Sequence, residues 1–238
     1  MPIAVLADIV RSRELPDRGR GQRVAEEVFA RVERDLVAGA TGETRQAAPL
    51  GAAVQPFRPT VGDEFQAVYA DLGDALARVL LVRLALPAEL DCRFGLGSGW
   101  IAPVPSGDRD DLQDGSAWWS ARAAIEAAHA LQSGVADGSR SWFLAAADDA
   151  DPVLPRLAPL VNAYLLARDQ LVAELSERAR RSVYGWLAGH RQVDVARELG
   201  VSQSAVSQAL RRGPAAALVA GWTALREGGM PWHSPASS

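Results

Sequence analysis

An α+β protein, a small sheet domain followed by an all-helical segment, is what three features of the sequence predict. Strand-like apolar runs alternate with amphipathic helical stretches through the first half, helical periodicity alone continues beyond about residue 150, and basic charge gathers near the C-terminal end. The 238 residues leave room for two small domains, and 48% hydrophobic with 23% charged residues are ordinary globular values. A disordered chain, a coiled coil and a collagen-like repeat are thereby excluded. The single Cys92 rules out an internal disulfide and a cysteine-rich zinc site, and the three scattered histidines argue against a histidine-built metal site, so any metal would rest on carboxylates. Every basic residue is arginine and alanine is abundant, which reads as compositional bias of the coding sequence. Residues 2–10 are cut short by Asp8 and Arg11 and make no signal peptide, and no apolar run approaches the roughly 20 residues of a membrane span. A cytoplasmic protein with no membrane partner is expected.

Residues 3–10 (IAVLADIV) form a continuous β-branched and apolar run, the mark of a strand buried on both faces. Over 18–37 the apolar positions Val24, Val28, Phe29, Val32 and Leu36 recur at helical spacing, and a Gly-, Thr- and Pro-containing loop follows over 39–51. Residues 55–60 and 64–70 read as strands joined by the tight turn Val61-Gly62-Asp63, with Asp63 at the tip of the hairpin. A second amphipathic helix over 72–86 and a glycine-spaced strand over 91–101 complete the order βαββαβ. That order is the split βαβ arrangement of ferredoxin-like domains, with the first strand in the middle of the sheet beside the hairpin. A polar loop with Pro103, Pro105, Gly107 and four aspartates precedes a helix over 117–131 and a short strand over 141–145. The sheet domain is expected to span 1–150, with Pro152, Pro155 and Pro159 marking its boundary. Helices over 160–175 and 177–187 begin the second domain, 151–227, and the tail 228–238, without periodicity, reads as disordered.

The most specific pattern lies over 192–211 (QVDVARELGVSQSAVSQALR), which predicts a helix-turn-helix. Ala196 is small where two helices meet, Gly200 supplies the turn, and Val195, Leu199, Val201, Val206 and Leu210 bury the apolar faces. Ser202 is placed to cap the second helix. Gln203, Ser204, Ser207, Gln208, Arg211 and Arg212 then fall on its exposed side, able to reach base edges or phosphates in a major groove. From Arg178 to Arg212 there are seven arginines against Asp194 and Glu198, the charge that phosphate neutralisation requires. Double-stranded DNA is the expected partner. A monomeric motif binds weakly, so a homodimer is expected too.

Two carboxylates stand out at the other end: Asp8, interrupting the central strand, and Asp63, at the adjacent hairpin tip. Neighbouring strand ends carrying a carboxylate each suit a Mg²⁺ ion that bridges phosphates, with Glu64 a third charge nearby. Turn conformation alone would also account for Asp63, and capping for Asp8. Ser12, just beyond the first strand, is a candidate phosphate contact through its neighbouring amides.

The segments Ala7-Asp8-Ile9-Val10, Val61-Gly62-Asp63-Glu64-Phe65-Gln66-Ala67-Val68, Arg93-Phe94-Gly95-Leu96-Gly97-Ser98-Gly99 and 115–122 fall in the order seen in class III nucleotide cyclases. GDEF also resembles the diguanylate cyclase signature. Closer still, residues 1–150 resemble the SatD family, with DIVxSR near the start, GDEFQ in the middle and Asp-Gly-Ser-Ala-Trp-Trp-x-Ala-Arg beyond; its members often carry a C-terminal helix-turn-helix. The resemblance implies a cyclase- or palm-like fold, Asp8 and Asp63 as Mg²⁺ ligands, and Arg122 as a triphosphate contact. Two departures stand against cyclase turnover: Pro59 occupies the place of the base-reading lysine, and Trp118 that of the ribose-binding asparagine. Trp118 or Trp119 would then stack on a base, unless the pair plugs a core or an interface. The expected function is a DNA-binding transcriptional regulator whose N-terminal domain senses a nucleotide or other phosphorylated ligand. The alternative is a metal-dependent nucleotidyl transferase or cyclase regulated by its helix-turn-helix.

Overall fold

A computed structural model describes residues 1–41, 50–60, 62–103, 113–147 and 151–227. Val61, most of the loops expected over 39–51 and from Pro103 to the third helix, and the tail from residue 228 lie outside them. The strands are β1 (Ile3–Ile9), β2 (Gln55–Pro59), β3 (Glu64–Tyr69), β4 (Cys92–Ser98), β5 (Ala102–Pro103), β6 (Gln113–Asp114) and β7 (Ser141–Ala145). The helices are α1 (Arg18–Thr41), α2 (Leu72–Ala85), α3 (Ser116–Ser133), α4 (Val153–Ala173), α5 (Glu177–Leu187), α6 (Gln192–Leu199), α7 (Gln203–Leu210) and α8 (Gly213–Glu227), with a 3₁₀ turn at Ser12–Glu14.

The sheet is mixed, in the order β2-β3-β1-β4-β7, while β5 and β6 make a separate two-residue ladder. Strand β1 is antiparallel to both β3 and β4, and β7 runs parallel to β4. The apolar run of β1 is explained by this place: Ile3, Val5, Ala7 and Ile9 join a layer with Phe65, Tyr69, Phe94 and helices α1, α2 and α4, while Ala4 and Leu6 face α3. Pro56 and Pro59 lie on the edge strand β2, where the missing N–H groups cost no ladder bond. At the opposite edge, the Asn162 side chain of α4 takes the place of a further strand: its Oδ1 accepts from Phe143 N (2.8 Å) and its Nδ2 donates to Phe143 O (2.9 Å). Asn162→Leu removes both bonds and leaves a buried amide and carbonyl unsatisfied. We expect a loss of about 2–3 kcal/mol in urea unfolding, with faster amide exchange in β7.

Glycine spacing in β4 sets the distance to α3. A Cβ at Gly95 would press into the backbone of Ala121 and Ile125, and one at Gly97 into that of Ala117 and Ala121. Only bare backbone admits the helix this close to the strand.

Helix α2 is not amphipathic in its surroundings, because Leu72 through Leu84 are all buried, Asp74, Arg78 and Arg83 included. These charges pair internally. Arg78 donates to Glu33 of α1 (2.9 Å) and lies over the Tyr69 ring, and Asp74 accepts from Arg226 of α8 (3.1 Å). Deeper still, Asp169 of α4 is fully buried between Arg168 and Arg83, each 2.7 Å from its Oδ1, and accepts Arg140 N on Oδ2 at 2.7 Å. Arg168 also donates to Ser141 of β7.

The prolines do not delimit the helices as expected. Helix α4 starts at Val153, takes Pro155 into its first turn, where an N–H has no partner in any case, and continues through Pro159. A single buried cluster then runs from Ile3 of the sheet to Trp222 of α8.

Candidate functional site

On the α3 side of the sheet, register places Glu64 of β3, Asp8 of β1 and Arg93 of β4 directly opposite one another. Arg122 of α3 reaches over the same row and closes a bidentate pair with Glu64, its Nη2 2.7 Å from Oε1 and its Nη1 against Oε2. Arg93 donates through Nη1 to both oxygens of Asp8 (3.1 and 2.9 Å) and through Nε and Nη2 to Gln132 (3.1 and 2.9 Å). The result is a line of charge in which two neighbouring carboxylates, Glu64 and Asp8, are closed at either end by an arginine, Arg122 and Arg93.

Burial pushes the Asp8 carboxyl above its ordinary value; the Arg93 guanidinium opposes this, and the charges of Asp63 and Glu64 add to it. The Arg122 guanidinium is held charged by its hydrogen bonds to Glu64. Asp63 is half-buried on the turn beside β3, close enough for Asp8 to feel its charge, and Gly62 before it has φ 75°, the left-handed conformation the turn needs. Asp8, Asp63, Glu64 and Arg122 thus come together as one cluster. Among the described residues, no group of three or more His, Cys, Asp or Glu is arranged to hold a metal ion.

The two tryptophans separate by one helical position. Trp118 is buried with Ala4, Leu6 and Val68, its indole N–H without a partner, whereas Trp119 is 58% exposed, donates to Asp114 Oδ1 (2.9 Å) and meets Trp100 edge-on. Of the pair, Trp119 has a face open to a stacking ligand. Ser12 is buried in the 3₁₀ turn after β1, which Arg11 enters with φ 53°. The cleft beside that turn is lined by Arg11, Glu14, Asp91 and Arg140.

Sequence reasoning missed Arg93 and Gln132. The signal for Arg93 was its position: residues 93, 95 and 97 alternate onto one face, so the arginine shares the face of the two glycines and of Asp8.

At the C-terminal end, α6 ends at Gly200 in the left-handed conformation (φ 64°), and Ser202 caps α7 by accepting Ala205 N at 3.2 Å. Val195, Ala196, Val206 and Leu210 are buried, with Leu199 and Val201 packed against the same layer. Gly185 of α5 lets Val195 approach to a distance a Cβ would forbid. Gln203, Ser204, Gln208, Arg211 and Arg212 are exposed and Ser207 is half-buried. Of the seven arginines, four are engaged within the fold. Arg180 donates to the carbonyls of Arg83 and Leu86 at the end of α2, Arg181 pairs with Glu198, and Arg191 and Arg197 both pair with Asp194. Arg178, Arg211 and Arg212 are exposed, and Arg178, Gln208 and Arg212 line one shallow cleft between α5 and α7.

No helix among the described residues is long and apolar enough to cross a membrane. No curated protein and no solved structure matches the chain. The SatD family model, however, matches residues 2–213, taking in the charged row, the glycine-spaced strand and both capped helices together; the chain belongs to the SatD family.

Proposed function

We propose that the chain is a cytoplasmic, DNA-binding transcriptional regulator. Residues 1–150 form a ferredoxin-like, cyclase-related unit that senses a nucleotide or other phosphorylated ligand, and 151–227 carry a helix-turn-helix that binds double-stranded DNA as a homodimer. The observation that carries this reading is the α6–α7 pair. Its turn glycine and capping serine fix the second helix, its apolar side is spent on α5 and α8, and its outer side bears Gln203, Ser204, Gln208, Arg211 and Arg212. The sheet order, with β1 between β3 and β4, supports the ferredoxin-like assignment of the first unit. Ligand sensing would act through differential affinity for two dimer arrangements.

The test is selection of a duplex from a random library, followed by titration of the selected site. Gln203→Ala and Arg211→Ala should each weaken binding by about 1–3 kcal/mol. Arg178→Ala and Arg212→Ala should weaken all sequences alike and lower the salt dependence by about one counterion each. Failure to enrich any sequence, or affinity unchanged in all four variants, overturns the reading.

The charged row favours a second reading, an enzyme acting on a nucleoside triphosphate. Asp8 and Asp63 are the residues that would hold Mg²⁺, and the metal would supply charge neutralisation at phosphate oxygens. Asp8 and Glu64 are already closed by Arg93 and Arg122. The ion therefore fits only where the ligand's phosphates arrive with it and take over those guanidinium groups. Incubating the protein with Mg²⁺ or Mn²⁺ and each nucleoside triphosphate, with mass spectrometry of the mixture and Asp63→Asn as control, separates the two. Sensing gives no product, whereas product that vanishes in the control makes the chain an enzyme.

A further inference from the structure

A further cavity, of about 210 Å³, lies where α1 and the end of α2 meet α5 and α6. One wall is apolar, from Leu84, Leu86, Pro87, Val195 and Leu199. The rest of the lining carries three guanidinium groups, Arg31, Arg180 and Arg181, and two carboxylates, Glu177 and Glu198. Two of these converge on one oxygen: Glu198 Oε1 of α6 stands 3.1 Å from Arg181 and 3.5 Å from Arg31. Arg180 spends its Nη2 on the α2 carbonyls, and its Nε is buried with no hydrogen-bond partner. Arg31 is fixed in turn by Asp35 and by the ring of Tyr184, whose hydroxyl donates to Asp35 at 2.6 Å. Three preorganised cations against two carboxylates, beside apolar side chains, are the composition of a site for an amphiphilic anion.

We propose that this cavity binds a small organic anion, a carboxylate or phosphate group on an apolar body, which competes with Glu198 for Arg31 and Arg181. The volume is below the roughly 300–1,000 Å³ of drug-sized pockets, which limits the occupant to a metabolite-sized molecule. Glu198 is the internal stand-in for the ligand's charge. Because Glu198 belongs to α6, an occupant that displaces it releases a tie between α1 and that helix. The site is separate from the row at Asp8 and Glu64. Its binding does not depend on the DNA-binding reading; only the consequence for α6 in an operator complex does.

Calorimetric titration of the full chain at constant ionic strength tests this with phenyl phosphate, benzoate and inorganic phosphate, and with cyclohexanol as a neutral comparison. We expect saturable binding of the two aromatic anions, weaker binding of inorganic phosphate and none of cyclohexanol. Glu198→Gln removes the competitor and should tighten binding about three- to tenfold, and Arg181→Gln should weaken it about tenfold. Both side chains are 45% exposed, so the fold is retained, and circular dichroism checks that. Amide exchange over 192–199 should quicken when the ligand is bound. Absence of saturable binding up to about 10 mM, indifference to Arg181→Gln, or binding that leaves exchange in α6 unchanged each overturns the proposal. None of these readouts involves DNA, so this proposal and the DNA-binding reading fail separately.

Discussion

Asp169→Ala is expected to cost about 3–5 kcal/mol of stability, a large share of the 5–15 kcal/mol, in order of magnitude, that holds a domain folded. The carboxylate is the common partner of Arg168 and Arg83 and also takes the amide of Arg140. Without it two guanidinium groups remain buried, Arg168 at 1% and Arg83 at 4% exposure, Arg168 with no carboxylate beside it and Arg83 with only Asp91 at 3.7 Å. Denaturant midpoints of wild type and variant measure the loss, and Asp169→Asn, which keeps an acceptor but no charge, should fall between the two. The pH dependence follows the same group. Burial raises the Asp169 carboxyl, but Arg168 and Arg83 outweigh that and hold it below its ordinary value. Its contribution is therefore fully present above the ordinary carboxylate range and is lost as pH falls through the lowered value. Wild type should lose stability on acidification below about pH 4 by a component that Asp169→Ala lacks. Parallel curves for the two proteins would show that Asp169 is not the linkage group.

Gly95→Val should be nearly as damaging. The added carbons meet backbone atoms of Ala121 and Ile125, not a side chain that could turn aside, so α3 itself must move. Overpacking of this kind costs about 3 kcal/mol, and at roughly 2–4 °C per kcal/mol for a chain of this size the melting temperature should drop by about 10 °C. The displacement also carries Arg122 off Glu64 and uncovers the layer holding Trp118. Amide exchange in α3 should quicken well beyond that in α4, and equal protection would show that the strand has yielded instead.

Much of the sheet was legible because its signals are local. The apolar run of β1, the turn at Gly62 and Asp63, and the periodicity of α1 each act over a few residues, and all three stand where the sequence puts them. Long-range packing was not legible. Nothing local marks Asp74, Arg78 and Arg83 for burial: Arg78 pairs with Glu33 of α1, and Arg83 and Asp74 meet Asp169 of α4 and Arg226 of α8 from the far end of the chain. Pro155 and Pro159 read as breaks, yet a first turn and a packed helix interior tolerate them. Of the residues brought together there, Asp8, Asp63 and Glu64 were singled out by residue type and spacing, and Arg122 only by the family resemblance. Arg93 was passed over because an arginine in a strand has no motif until its cross-strand partner is known.

The unbroken layer from Ile3 to Trp222 bears on where the chain could be divided as much as on folding. A chain cut near residue 150 would strip α2 of the helices that supply Asp169 and Arg226, leaving Arg83 and Asp74 without those partners. Arg83 and Asp169, like Asp74 and Arg226, face each other across that cut, so a change in one is felt by the other. A substitution at one end of the molecule is therefore felt through a core shared with the other.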